Sequence, residues 1–147
     1  MLQIALGKKS IPLKQSNKNL IQFSQRVKKI TNNNFTGTAF LHQMVMTDST
    51  NKVQVGNVTF KPGARSNWHY HHGGQILLIT GGIGYYQEKG SPKKIIRKGD
   101  VVNCPANVPH WHGASATEEL IQIAITNTQN GAVVWLQPVT DEEYNRQ

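Results

Sequence analysis

The sequence predicts a single all-β domain, an antiparallel sandwich or small barrel. Three observations lead to this prediction. From about residue 36 onward, short runs alternate apolar and polar residues, as in VQVGNVTF. Turn-forming stretches such as KPGARSN, KGSP, KGD and NTQNG separate these runs. The chain of 147 residues has room for one domain with a buried core.

About ten strands are expected, at the close spacing that is typical of sandwiches and small barrels. Two glycine pairs, one after HYHH and one after QILLIT, are taken as breaks between strands. In chain order, the predicted strands are TGTAFLHQMVM, VQVGNVTF, WHYHH, QILLIT, IGYYQE, KKIIR, VVNC, HWHGA, LIQIAIT and AVVWLQPV.

Residues 1–33 are predicted to form a basic N-terminal extension to a β-domain over residues 34–147. Residues 1–47 carry seven of the 16 basic residues and no acidic residue. Leu20, Phe23, Val27 and Ile30 have the spacing of one face of a short helix, which would dock on the domain as an arm. The segment lacks the interleaved aromatic residues of a single-strand binder, so no nucleic-acid partner is expected.

Several other classes of protein are disfavoured by the sequence. No apolar run reaches membrane-spanning length, so no membrane partner is expected. The start, MLQIALGKKS, is a poor signal peptide because its lysines follow the apolar run, and a cytoplasmic protein is expected. Cys104 is the only cysteine, which excludes an intramolecular disulfide and favours an inert buried thiol.

The stretch SNWHYHHGGQ carries half of the six histidines. In a strand, side chains alternate between faces, so His69 and His71 would point to one side and His72 to the other. Two imidazoles on one face form a natural chelating pair. The glycines after His72 allow a bend that returns Gln75 to the side of the first two histidines.

Two further histidines follow the turn CPANVP. His110 and His112 have the same parity in HWH and would share a face. A buried histidine of this kind can act as a general base at neutral pH. For His112 the alternative is a hydrogen bond that only supports its neighbours.

The spacing of these residues resembles the two sequence motifs of the cupin superfamily, over roughly residues 34–145. The first motif is matched by Gly63, His69, His71, position 75 and Gly82, and the second by Gly99, Pro105, Asn107 and His110. The resemblance implies a double-stranded β-helix, or jelly-roll, barrel with one metal ion inside. Asn107 stands where the second motif usually has glycine. Asparagine tolerates the left-handed conformation, so the turn can survive the exchange.

Longer stretches resemble one subgroup of small single-domain cupins. FKPGARSNWHYHHGGQILLITGGIGYYQ and KGDVVNCPANVPHWHGA are similar to the carboxymuconolactone decarboxylase-associated cupins, some of which are manganese-dependent hydroxynitrile lyases. This resemblance implies a metal bound by His69, His71, Gln75 and His110. Gln75 replaces the glutamate of the general motif.

Such a ligand set suits one divalent transition metal per chain. Manganese is expected from the resemblance, and Fe, Ni, Co and Zn are chemical alternatives. A neutral glutamine leaves the ion its full double charge, which should make it a stronger Lewis acid than a carboxylate would.

Other site positions follow from the same resemblance. Gly56, Val58, Phe60, Ser66, Gln122 and Thr126 match positions that line the cavity in hydroxynitrile lyase-like members. Parity independently places the first three on one strand face. Met44 or Met46 is expected to add to this apolar wall. Gln122 stands where lyase members tend to have histidine, and an amide cannot act as a base near neutral pH.

The predicted function is therefore that of a metal-binding cupin enzyme acting on a small organic molecule. Carbon–carbon lyase chemistry is favoured, with His112 and Gln122 as the catalytic pair. A metal-dependent dioxygenase or isomerase, and a small-molecule-binding cupin without turnover, are the alternatives. Because jelly-roll cupins commonly pair through their outer sheet faces, a homodimer is expected.

Overall fold

The computed structural model of the protein describes residues 27–146, which form twelve strands and one short helix. The elements are β1 (Lys28–Lys29), β2 (Phe35–Thr36), β3 (Ala39–Val45), β4 (Val53–Phe60), β5 (Arg65–Ser66), β6 (His69–Tyr70), β7 (Gln75–Glu88), β8 (Lys94–Arg97), β9 (Val101–Cys104), β10 (His110–Ala114), β11 (Leu120–Asn127), β12 (Val134–Trp135) and α1 (Asp141–Asn145). The predicted all-β class is confirmed.

The strands pair antiparallel in the order β1-β3-β4-β11-β7-β10-β5-β2. The long strand β7 belongs to both halves of this curled sheet. Its first part pairs with β11 and β9, and its second part pairs with β10 and β8. Side chains from both halves therefore face one interior, and that interior contains the candidate site.

The continuity of β7 corrects the prediction of two strands separated by Gly81 and Gly82. Both glycines pair with β11, opposite Ile121 and Leu120, and the pairing register shifts just before them, where Thr80 has no partner. Gly82 has φ +73°, and a Cβ there would overlap the backbone carbonyl of Glu119. The pair thus bends a continuous strand rather than ending it.

The predicted strand WHYHH is also shorter than expected. β6 ends at Tyr70, and His71 opens a turn in which the Gly74 amide donates to the His71 carbonyl at 3.2 Å. At the C-terminus, AVVWLQPV contributes only Val134 and Trp135 to the sheet.

At the start of the described chain, a strand replaces the end of the predicted helix. β1 pairs with β3, and the Ile30 amide donates to the Ala39 carbonyl at 2.9 Å. This edge pairing satisfies backbone groups while Ile30 packs against the core. Leu20 and Phe23 lie outside the described residues. The sheet thus includes residues before the predicted boundary at residue 34.

The main core is continuous with the cavity wall, because Val58 and Phe60 belong to both. Its largest fully buried members include Phe60, Leu77 and Leu120. Cys104 belongs to this core, and burial raises the pKa of its thiol to about 12, so it stays protonated. In the described part of the chain, no helix is long and apolar enough to cross a membrane.

A second apolar cluster lies on the outside of the sheet under the C-terminal segment. It contains Trp68 and Trp111, together with Val139 and Tyr144 of the C-terminal segment. Helix α1 was not predicted, although TDEE carries the pattern of a capping box. Thr140 accepts from the Glu143 amide, and the Glu143 carboxylate accepts from the Thr140 amide.

Arg65 fastens this C-terminal segment to the barrel. Only 5% of its surface is exposed. Its guanidinium donates to the Val139 carbonyl at 3.0 and 3.2 Å and to the Asp141 carboxylate at 2.6 Å. It also lies 4.6 Å from the centre of the Tyr144 ring.

Candidate metal centre and cavity

Three histidines converge inside the barrel. His69 lies on β6, His71 on the following turn, and His110 begins β10. His69 and His110 are cross-strand partners in the β6–β10 pairing. One ring nitrogen from each of the three lies within 4.8 Å of the others, and all three side chains are buried. These three buried histidines can hold a metal ion.

Backbone carbonyls orient two of the three rings. His69 Nδ1 lies 2.9 Å from the Asn67 carbonyl, and His110 Nδ1 lies 3.0 Å from the Val108 carbonyl. Because a carbonyl only accepts, each Nδ1 carries the proton, and each Nε2 presents a lone pair. His110 Nε2 has no hydrogen-bond partner among residues 27–146.

The protein environment keeps these imidazoles neutral. Burial, followed by the neighbouring His110, lowers the pKa of His71 to about 4. Burial likewise lowers the pKa of His110, and it lowers the pKa of His69 well below its ordinary value. Neutral rings at physiological pH have free lone pairs, which metal coordination requires.

Gln75 adds a side-chain oxygen that could serve as a metal ligand in the same region. Its Nε2 donates to Thr126 Oγ1 at 2.9 Å, across the β7–β11 pairing. Its Oε1 is buried and has no hydrogen-bond partner in the described part of the chain. A buried amide oxygen that accepts no hydrogen bond lowers the stability of the folded protein. The unpaired nitrogens and this amide oxygen fit a divalent ion, which would satisfy them together.

His112 lies beside the three-histidine cluster, with its ring centre 5.3 Å from that of His69. Its Nδ1 is 2.9 Å from the Gln122 side-chain amide, and its backbone amide donates to Ser66 Oγ at 3.2 Å. Its Nε2 is buried without a hydrogen-bond partner in the described residues. Burial, reinforced by the neighbouring histidines, lowers the pKa of His112 well below its ordinary value.

A cavity of about 650 Å³ opens in front of these groups. This volume is within the usual range for small-molecule sites. All five predicted substrate-binding positions line it: Gly56, Val58, Phe60, Ser66 and Thr126. The wall also includes His69, His71, Gln75 and His112.

Two expectations about the cavity wall are corrected. Met46 is 71% exposed, and neither it nor Met44 lines the cavity. The inward positions of β3 are instead Leu41 and Gln43, which share one face of the strand by alternation. Gln122 is fully buried behind the wall, where it contacts His112 and forms no part of the cavity surface.

Sequence reasoning also missed several wall residues. Ala124 pairs directly with Gly56, and these two small residues widen the middle of the cavity. Gln54 lies near Thr126 in the same pairing and donates to the Gln43 side chain at 3.1 Å. Strand alternation from Gly56 and Thr126 would have indicated both Gln54 and Ala124.

Comparison with known proteins agrees with this fold and site. The family described as "Cupin domain" matches residues 56–126. The chain is 41% identical over 113 residues to (R)-mandelonitrile lyase of Granulicella tundricola, covering 76% of this chain and 86% of that protein. The chain therefore belongs to the cupin family.

Solved structures extend the comparison. A cupin-like protein from Thermotoga maritima has a TM-score of 0.78 and 46% identity, and the match covers 84% of this chain and 95% of that protein. A predicted oxalate decarboxylase from the same organism has a TM-score of 0.64 and 20% identity, covering 80% of this chain and 99% of that one. The predicted jelly-roll cupin barrel is thereby confirmed.

Proposed function

We propose that the chain is a metal-dependent cupin lyase whose ion is bound by His69, His71, Gln75 and His110. The support is the set of buried lone-pair atoms that accept no hydrogen bond from residues 27–146: His110 Nε2, one ring nitrogen of His71 and Gln75 Oε1. One divalent transition ion per chain is expected, and manganese is the favoured metal. When bound, such an ion supplies Lewis-acid stabilisation of charge on a substrate oxygen.

The metal centre can be tested by elemental analysis. Purified protein should contain about one transition ion per chain. His69→Ala combined with His110→Ala should abolish metal binding, whereas His112→Ala should retain it because His112 is not assigned as a ligand. Retained metal in the double variant would contradict the assignment.

The favoured reaction is cleavage of a cyanohydrin-like carbon–carbon bond. The observation that carries this proposal is His112, whose unpaired Nε2 belongs to a side chain on the cavity wall beside the histidine cluster. The 41% identical relative bears the name of a mandelonitrile lyase. The apolar wall of Val58 and Phe60 favours an aromatic or aliphatic substrate body.

In this reaction, His112 Nε2 accepts the hydroxyl proton of the substrate. The electron pair of the O–H bond becomes the second bond of the new carbonyl. The electron pair of the broken carbon–carbon bond leaves with cyanide. Cyanide then takes the proton from His112 and departs as hydrogen cyanide. A neutral imidazole is required at the start, and the lowered pKa of His112 keeps it neutral.

Proton acceptance at Nε2 requires the His112 tautomer with its ring proton on Nδ1, and a rotated Gln122 amide can stabilise that tautomer. As oriented, Gln122 Nε2 donates to His112 Nδ1, which leaves the ring proton on Nε2. With its amide rotated by a half-turn, Gln122 Oε1 accepts from Nδ1 and leaves the Nε2 lone pair free. Gln122 thus serves through His112 rather than as a base itself.

Activity can be tested on metal-loaded protein with mandelonitrile and with an oxidative substrate panel. Release of benzaldehyde and cyanide is expected. His112→Ala should lower kcat by roughly 10²-fold or more while metal content is unchanged. Full activity in this variant would remove His112 from proton transfer. Turnover of only oxidative substrates would instead favour a dioxygenase, and binding without turnover would favour a carrier.

We also propose a homodimer. Ile76 on β7 and Val101 on β9 are 41% and 64% exposed on neighbouring strands, an apolar surface that a second copy would cover. Light scattering should give twice the chain mass of 16.4 kDa. A monomer at micromolar concentration would contradict this proposal.

A further inference from the structure

His71 differs from its two partners in how its ring is held. His69 and His110 each have Nδ1 anchored to a backbone carbonyl. Neither nitrogen of His71 is anchored to a backbone carbonyl, and its polar neighbour is the side chain of Gln75, itself a proposed ligand. His71 also lies on a turn rather than a strand, since β6 ends at Tyr70. Apart from contacts with the other proposed ligands, its orientation therefore depends on the backbone that carries it.

That backbone is held by a second turn. The Asn107 amide donates to the His71 carbonyl at 2.9 Å, and the Asn107 side-chain oxygen lies 2.9 Å from Nδ1 of His72, the next residue. Asn107 thus contacts both residues of the His71–His72 pair, one through its backbone and one through its side chain. The amide oxygen can only accept, so His72 Nδ1 is the donor.

Neighbouring segments pack closely around this contact. A Cβ on Gly74 would lie 2.9 Å from the Cys104 carbonyl oxygen, and one on Gly131 would lie 3.2 Å from the His72 ring. Asn107 has φ +60°, the only positive φ of a non-glycine residue within 27–146. Glycine would adopt this conformation at lower cost. The strained asparagine is therefore consistent with a role for its side chain.

From these contacts we infer that Asn107 is a positioning residue, which fixes the His71 imidazole by bracing the 71–74 turn through His72. The inference rests on the proposed metal centre, because His71 needs a fixed orientation only as a ligand. Residues behind metal ligands typically affect metal affinity by 10–100-fold. The contact also explains why His72 points away from the metal site.

The positioning role of Asn107, called the brace below, can be tested by titrating the metal-free protein with Mn²⁺ and with Co²⁺. The visible spectrum of bound Co²⁺ reports the geometry of its ligands. Asn107→Gly keeps the backbone donor and removes the side-chain acceptor. It should weaken affinity by roughly tenfold and alter the Co²⁺ spectrum. Asn107→Asp keeps an acceptor and should retain the wild-type affinity. The melting temperature of each metal-free variant establishes that it is folded.

A double-mutant cycle separates the brace from a general effect on the turn. His72→Ala should cause the same loss as Asn107→Gly, and the double variant should lose no more than either alone. Asn51→Gly removes a turn asparagine whose side chain likewise accepts a backbone amide, that of Val53, and it should leave affinity unchanged.

The outcomes distinguish this inference from the proposed metal centre. If the wild-type protein binds neither ion, the metal centre is refuted and the brace with it. If the wild type binds metal but Asn107→Gly binds it equally well, the brace alone is overturned. Additive losses in the double variant would also refute it, because they would show that the two side chains act independently.

Discussion

Buried histidines should make the metal-free protein sensitive to mild acid, and His71 allows the size of this effect to be worked out. Its pKa is about 4 in the folded protein and 6.5 as its ordinary value. The unfolded chain therefore binds more protons between these values, so stability falls as pH drops below 6.5. At pH 5 the loss from His71 alone is about 2 kcal/mol relative to neutral pH.

The assay compares urea unfolding at pH 7.5 and pH 5.0 in the presence of a chelator, followed by tryptophan fluorescence. His71→Asn removes the titrating group without removing a polar side chain. The difference in unfolding free energy between the two pH values should be smaller by about 2 kcal/mol in this variant. His72→Asn is the matched control, because that side chain lies outside the cluster.

Carboxylates also contribute to acid sensitivity, but their contributions cancel when a variant is compared with the wild type. An equal pH difference in wild type and His71→Asn would refute the assignment of His71 as a buried neutral imidazole. Wild-type protein as stable at pH 5.0 as at pH 7.5 would refute the same reasoning for the whole cluster.

Three further predictions follow from individual contacts. Arg65→Met should destabilise the protein by about 2–3 kcal/mol in urea unfolding and expose the C-terminal segment to proteolysis, because charged hydrogen bonds to Val139 and Asp141 are lost; unchanged stability would contradict the fastening role. Gln75→Glu should retain metal but lower kcat, because a carboxylate offsets part of the ion's charge; an equal or higher kcat would contradict this. A chelator should lower the melting temperature of protein purified with metal, and re-addition of Mn²⁺ should restore it; a melting temperature indifferent to both would contradict metal binding.

Site residues could be predicted from the sequence where strand alternation or motif spacing indicated them. Gly56, Val58 and Phe60 follow strict alternation on β4, and all three line the cavity as expected. His69 and His71 were expected together because of strand parity, yet His71 lies on a turn. The pair still converges, because the motif spacing reflects the whole loop rather than a regular strand.

The prediction failed where distant pairing decides the local structure. Gly81 and Gly82 signal a break, but pairing with β11 on one side and β10 on the other keeps β7 continuous. Lys28 and Lys29 have no strand signal of their own, and they form β1 only because the edge of β3 is available. Long-range pairing of this kind overrides local propensity.

The position of Gln122 was likewise beyond local reasoning. Its parity on β11 correctly indicates an inward direction, but His112 from β10 lies in front of it. Which of two inward side chains reaches the cavity depends on their relative depth. That depth follows from the packing of β10 and β11, which are consecutive in the chain but are separated in the sheet by β7.

The neutral polar groups at the inner end of the cavity support the proposed lyase function. The groups there are imidazoles with lowered pKa, amides and hydroxyls, and Asp48 is the one carboxylate on the described wall. The Asp48 side chain is occupied by the Thr50 and Asn51 amides in the β3–β4 turn. An anion formed beside His112 would therefore meet no opposing carboxylate in the described wall near it. Because Gln75 is neutral, it adds no negative charge near His112. Such a site favours a reaction that releases an anionic leaving group over one that needs a negatively charged ligand on the ion.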